Sequence, residues 1–370
     1  MRLLIDLPFA RRLAPACVFA LGIALLIPAA ACAAAPNANA GSEADASEEN
    51  QADLVAMLPS LATTIGFIDF AAIRETAAYE FLKQDAGFGD TAALEKIVEE
   101  TGIDLRTDLH RIAFISNDGF GTWDERGAFL VLATFERARI EEAIASAPTD
   151  QYSGRNLYQI GAMDHDEENE GEVEGEDDSI SIDVEVDGWM TILSDTVLAF
   201  GSSDLIRAIV DVADGVPSVR ENSTLMALLE DVNTDAQIWL VSAREGLFSS
   251  ITPDAGSPIG QIGYDRINAM MLALDLSDGL SFRMRGRTPA EEDAKNLGDA
   301  LNGMVALGKM MLQNSNPDVF EILDRGIETG SRGRDVTIEA HLTIDDLRVL
   351  RDYAETVIGS DRGDKGQIGD

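Results

Sequence analysis

The chain has 370 residues, 66 of them acidic and 28 basic, for a formal net charge of −38. Such a surface repels nucleic-acid phosphates and anionic headgroups, which excludes a nucleic-acid binder on electrostatic grounds. With 45% hydrophobic residues in periodic stretches, the body is globular rather than disordered, and it is long enough for two sub-domains.

Residues 1–32 read as a signal peptide. Arg2, Arg11 and Arg12 flank the start of an apolar run, Leu13 to Pro28, that gives way to small residues, which suits export and not a membrane span. Arg11-Arg12 is similar to a twin-arginine signal, but its neighbours do not match, so the general secretory route is expected. Two cleavage readings stay open. Ala29-Ala30-Ala31-Cys32 resembles a bacterial lipobox with Ala where Leu is usual, which implies a lipid on Cys32, and Ala33 after it resembles the outer-membrane sorting choice. Ordinary cleavage at Ala31-Cys32-Ala33 leaves a free periplasmic or secreted product instead. Both cysteines, Cys17 and Cys32, lie in this leader, so the exported body forms no disulfide of its own. Residues 33–53 are small, polar and acidic, an acidic flexible tether.

A first sub-domain is expected over 54–215. Its strand at Ile65 to Phe70 leads into helices over Ala71 to Lys83 and Ala92 to Thr101, the second ended by Gly102. Arg111 to Ser116 and Ala128 to Thr134 flank Asn117-Asp118-Gly119 and read as a hairpin. A helix over Glu136 to Ser146 follows, then strands at Asn156 to Ile160, Ile180 to Val186, Trp189 to Leu193 and Val197 to Gly201, and a helix over Asp204 to Val212. Between Asp164 and Asp178 ten carboxylates with no basic residue form a solvated acidic loop, 164–178, able to collect divalent cations weakly; an EF-hand is excluded because its sixth position is Asn169.

The second sub-domain, 216–358, repeats the order. A helix over Leu225 to Val232 precedes a strand at Gln237 to Ser242 and a helical segment near Arg244 to Ser250. Ile267 to Leu276 and Leu280 to Arg287 flank Ser277-Asp278-Gly279, another hairpin. Thr288-Pro289-Ala290-Glu291 opens a helix to about Gln313, with Thr288 as its cap. Asp318 to Leu323 adds helix, Asp335 to Leu342 a strand with one wet face, and Thr343-Ile344-Asp345-Asp346 caps a last helix to about Val357; residues 359–370 read as a disordered tail. The fold class is α+β: two similar sub-domains, each an antiparallel sheet packed with helices on one face. The run Thr101-Gly102-Ile103-Asp104-Leu105-Arg106-Thr107-Asp108-Leu109 resembles a motif of exported bacterial proteins of unknown function with a duplicated sheet-and-helix plan. That resemblance implies no activity.

The motifs that carry chemistry are thin. Gly303 to Met310 matches a phosphate-binding loop except that Met310 stands where Ser or Thr should hold magnesium, and it falls inside a helix. His110, His165 and His341 are scattered and belong to no metal-binding pattern. Trp123, Trp189 and Trp239 read as packing residues, and no nucleophile elbow or Ser-x-x-Lys pair occurs. No catalytic, cofactor or metal residue is assigned; Cys32, as a lipid site, is the one candidate. The spread of Asp and Glu, with only five lysines, resembles adaptation to salty surroundings. The expected function is a non-enzymatic cell-envelope protein acting as a binding or scaffolding module. One alternative is a periplasmic carrier of an apolar ligand lined by Met270, Met271, Met304, Met310 and Met311; another is a hydrolase with an unrecognised carboxylate pair.

Overall fold

A computed structural model describes residues 54–85, 98–99, 101–117, 127–160, 188–244 and 266–363. Along the first part of the chain lie β1 (Thr64–Asp69), α1 (Phe70–Arg74), α2 (Ala77–Asp85), β2 (Leu109–Ser116), β3 (Gly127–Ala133), α3 (Arg137–Ala143), β4 (Thr149–Tyr152), β5 (Arg155–Ile160), β6 (Gly188–Ile192), β7 (Val197–Gly201) and α4 (Ser203–Ala213). The second part holds α5 (Ser223–Leu229), β8 (Ile238–Ser242), β9 (Ala269–Asp275), β10 (Leu280–Arg287), α6 (Glu291–Ser315), α7 (Pro317–Gly326), β11 (Ile327–Arg332), β12 (Asp335–Leu342) and α8 (Ile344–Gly363).

All the described strands join one twelve-stranded antiparallel sheet in the order β11-β12-β10-β9-β8-β1-β2-β3-β7-β6-β5-β4. This corrects the expectation of two sheets. The first strand of each half, β1 and β8, would otherwise expose an unpaired edge. They pair with each other instead, from Thr64↔Ser242 to Ile68↔Ile238. At that seam Phe67 and Trp239 are direct cross-strand partners and stack with centroids 5.7 Å apart. Beside them Gly66 faces Phe114, whose ring lies where a Cβ would stand, so only glycine lets the ring fold over the strand.

Helices cover both faces, which corrects the one-face expectation. On the front, Ile65, Phe67, Ile115, Leu130, Trp239 and Val241 pack under Leu205, Ile206 and Ile209 of α4, Leu225 and Leu228 of α5, and Leu54 and Leu58. Each fully buried Leu or Ile contributes roughly 1.5–3 kcal/mol. Asn222 ties this cover together: it caps α5 through Leu225 N–H at 3.2 Å and donates to the carbonyls of Ser60 and Ala62 at 3.0 and 3.1 Å. On the back, α1 and α2 set Ile73, Ala78 and Tyr79 on Ile238 and Leu274, Ile140 of α3 meets Met190 and Ile192, and α6 sets Leu297 and Leu301 on Val336. The front of β10 and β12 is the wet face expected from the alternation along β12, with Thr337, Glu339 and His341 opposite Val336 and Ile338.

Several local expectations shift. The helix expected over Ala71 to Lys83 is two, because Thr76 accepts from the Tyr79 N–H at 3.1 Å and caps a new helix. Thr288 does not cap α6: it is fully buried, its backbone N–H donates to the Arg334 carbonyl, its hydroxyl lies 2.7 Å from the Ala290 carbonyl and 3.1 Å from that of Arg334, and the helix starts after Ala290. Thr343 and Asp346 do form the expected reciprocal cap, at 3.2 and 2.9 Å. Gly102 stands in positive φ just past the helical residues 98, 99 and 101, its N–H donating to the Val98 carbonyl. Strands β4 and β11 were not expected, and α8 runs to Gly363, into the segment read as a tail. The leader, the tether, the acidic loop 164–178, most of the helix at 92–101, the strand at 180–186 and residues 245–250 lie outside the described residues.

Candidate functional site

The β4–β5 hairpin builds a polar concavity. Tyr152 and Arg155 pair across a two-residue turn in which Ser153 and Gly154 have φ of 51° and 77°. Positive φ at both positions is what a tight right-twisted hairpin demands, and Gly154 meets it without strain. Tyr152, on the sheet front, reaches α4, where its hydroxyl donates to Asp211 at 2.9 Å. Ser153 Oγ donates to Asp214 at the end of the same helix. Arg207 of α4 returns the contact, bonding Asp150 at 3.0 Å with its guanidinium 5.7 Å from the Tyr152 ring centroid. The hydrogen bond to Asp211 raises the Tyr152 phenol above its ordinary value, because the neighbouring carboxylate stabilises the protonated form.

A cavity of about 400 Å³ opens at this hairpin, walled by Arg137, Arg155, Asn156, Tyr158, Ser153 and Asp214 with Ile192 as its apolar member. Arg137 is the first residue of α3, and its Nε donates to Glu141 at 2.8 Å, one turn on, which raises its already high pKa. Arg155 opens β5; its Nη1 donates to the Leu193 carbonyl at 3.1 Å, and no carboxylate among the described residues pairs with it. Asn156 donates to the Tyr158 hydroxyl at 3.2 Å and, through its backbone, accepts from Thr191 at 2.9 Å. The donor set suits a small ligand with a carboxylate for the guanidinium of Arg155 and hydroxyls for Asn156, Ser153 and Asp214.

None of these residues was singled out from the sequence. The available signal was the Ser153-Gly154 dipeptide, a turn marker between two polar segments whose alternation is too weak to announce strands.

Arginines also line the open front of β10, but there they are neutralised. Arg283 meets Glu339 at 3.1 Å, Arg285 meets Asp231 at 3.6 Å, and Arg287 bonds Asp335 at 2.9 Å and Asp231 at 3.3 Å. The register sets Arg283 opposite Glu339 and Arg287 opposite Asp335, so this is a cross-strand ion-pair ladder.

The residues weighed from sequence do not converge. His110 bonds Thr134 at 2.8 Å on β2, and His341 bonds Ser281 at 2.7 Å on β12, five strand spacings or roughly 24 Å away; His165 lies outside the described residues. The five methionines do not line one site. Met270 and Met271, adjacent on β9, point to opposite faces; Met304 joins the α6 cluster, and Met310 and Met311 are exposed. Gly303 to Met310 lies within α6, without the strand-to-helix setting of a phosphate loop. Trp239 and Trp189 belong to the front core, and Trp123 falls outside the described residues.

Among the described residues two carboxylates shift, Asp104 and Asp346, both downward. The hydrogen bond from Arg106 lowers Asp104, with bonds at 2.7 and 2.8 Å. Burial pushes Asp346 upward, but the hydrogen bonds from Arg325 and Thr343 outweigh it and hold the group below its ordinary value. Among the described residues no three His, Cys, Asp or Glu side chains gather as a metal site, and no helix is long and apolar enough to cross a membrane. Compared with family models, curated proteins and solved structures, the chain finds no match in any of them.

Proposed function

We propose that the chain is an exported, non-enzymatic cell-envelope protein whose folded body is a binding module, held by a lipid on Cys32 or free in the periplasm. The observation that carries this reading is the polar cleft at the β4–β5 hairpin, where Arg155 has no carboxylate partner among the described residues of a chain of net charge −38. Its ligand class is a small hydroxylated carboxylate such as a sugar acid. The protein's own field opposes an anion at long range, so recognition rests on short hydrogen bonds inside the cleft.

The carrier alternative loses the residue set that motivated it, because the methionines lie apart. An internal duplication belongs to the same proposal: outward from the seam, β1-β2-β3-β7-β6 and β8-β9-β10-β12-β11 follow the same sequence of positions. Weak uptake of divalent cations by 164–178 is retained with it, checked by calcium calorimetry with and without that segment.

Calorimetric titration with D-glucuronate tests the cleft. Binding that weakens about tenfold or more in Arg155→Met, with the fold intact by circular dichroism, is the expected result. An unchanged isotherm in that variant removes the cleft from the account, and turnover abolished by a single carboxylate change removes the non-enzymatic reading.

A further inference from the structure

Arg155 and Asp214 line one cavity, and among the described residues neither of them meets an opposite charge. Arg155 bonds the Leu193 carbonyl at 3.1 Å, and Asp214 accepts from the Ser153 hydroxyl. The neighbouring charges are spent on each other, Arg137 on Glu141 at 2.8 Å and Arg207 on Asp150 at 3.0 Å. The wall of this space of about 400 Å³ therefore presents one cation and one anion, each bonded only to a neutral group among the described residues.

The end of α4 gives an independent reason to place a positive group beside Asp214. The helix runs from Ser203 to Ala213 with Asp214 as its C-cap; its last turn holds no basic residue, and Asp211 stands in it. That end of a helix is the negative end of its dipole, where a cation is favoured. Two aspartates occupy it instead, bonded by the neutral hydroxyls of Tyr152 and Ser153. A ligand ammonium at Asp214 supplies the missing charge. It also removes a conflict at long range. A ligand carrying only a carboxylate is opposed by a chain of net charge −38, whereas one that carries an ammonium as well has no net charge for that field to act on.

We infer that the cleft takes a zwitterion: a small hydroxylated amino acid whose carboxylate meets the Arg155 guanidinium and whose ammonium, in place of a hydroxyl, meets Asp214. This rests on the reading of the cleft as a sugar-acid site and narrows the ligand to an amino sugar acid. Asn156 and Ser153 keep the hydroxyls of the chain between the two charges.

Calorimetry comparing D-gluconate with its 2-amino-2-deoxy and 6-amino-6-deoxy analogues tests this, since one sets the ammonium beside the carboxylate and the other at the far end. At least one aminogluconate should bind about fivefold or more tighter than D-gluconate. Asp214→Asn keeps an oxygen for Ser153 and takes a single charge from a net −38, so the preference should vanish while D-gluconate binds no more weakly. Arg155→Met should weaken both acids about tenfold. The amine 1-amino-1-deoxy-D-glucitol, which lacks the carboxylate, should bind about tenfold more weakly than the better aminogluconate. D-Gluconate bound without preference for either amino analogue overturns the inference and leaves the sugar-acid reading standing; no binding by any of the three acids overturns both. A preference that survives Asp214→Asn, or an amine as tight as the zwitterion, also overturns it, because the acidic surface and not the cleft is then holding the ammonium.

Discussion

Asp69 holds the corner where the first strand turns into helix. One carboxylate oxygen accepts from the Ala72 N–H at 2.9 Å and caps α1; the other binds Arg111 Nε at 2.9 Å, its cross-strand partner. The Arg111 side chain is only 5% exposed, so removing its counter-charge leaves a cation in low dielectric. Asp69→Asn keeps a capping side chain and loses the charge; it should cost about 3–5 kcal/mol in urea unfolding, and a loss under 1 kcal/mol would show that the pair contributes little. Asp346 makes a pH statement. Its folded pKa is depressed, so its contribution is fully present above the ordinary value of 3.8 and is lost as pH falls through the lower folded value. Asp346→Asn should flatten the acid limb of the stability profile below about pH 4, and an unchanged limb would contradict that assignment.

At the scale of elements, what could be read from the chain was what is decided locally. The Thr343–Asp346 cap and the Asp278-Gly279 turn are set by residues a few positions apart, and both stand where expected. Thr288 carried the same local signal, but its backbone N–H is held by the Arg334 carbonyl, 46 positions away, and its hydroxyl faces the carbonyls of Ala290 and Arg334 and no helix N–H. Strand β11, Ile-Glu-Thr-Gly-Ser-Arg, has no apolar alternation because it is an edge strand paired on one side only. The cleft was illegible for a related reason: Arg137, Arg155 and Asp214 come from three elements that only the sheet order brings together. The latch between the hairpin and α4 is open to a direct check. In Asp211→Asn the Tyr152 ionisation should fall back toward the ordinary value of 10.0 in an ultraviolet titration, with faster amide exchange in β4; an unmoved titration would mean that the latch does not form in solution.

Taken as a whole molecule, the halves are joined by backbone pairing at β1 and β8, with Phe67 and Trp239 stacked across the seam, so the twelve strands form one body with a common front core. Everything proposed for that body, from the thiol-free exterior to the ligand cleft and its two opposite charges, assumes work outside the cytosol. The most direct test is an intact-mass measurement on the native protein recovered from fractionated cells. The account predicts an envelope fraction containing a chain that begins at Cys32 with a diacylglyceryl adduct, or just beyond it without one. Recovery from the cytosol at the full-length mass of 39.7 kDa, leader still attached, would contradict it.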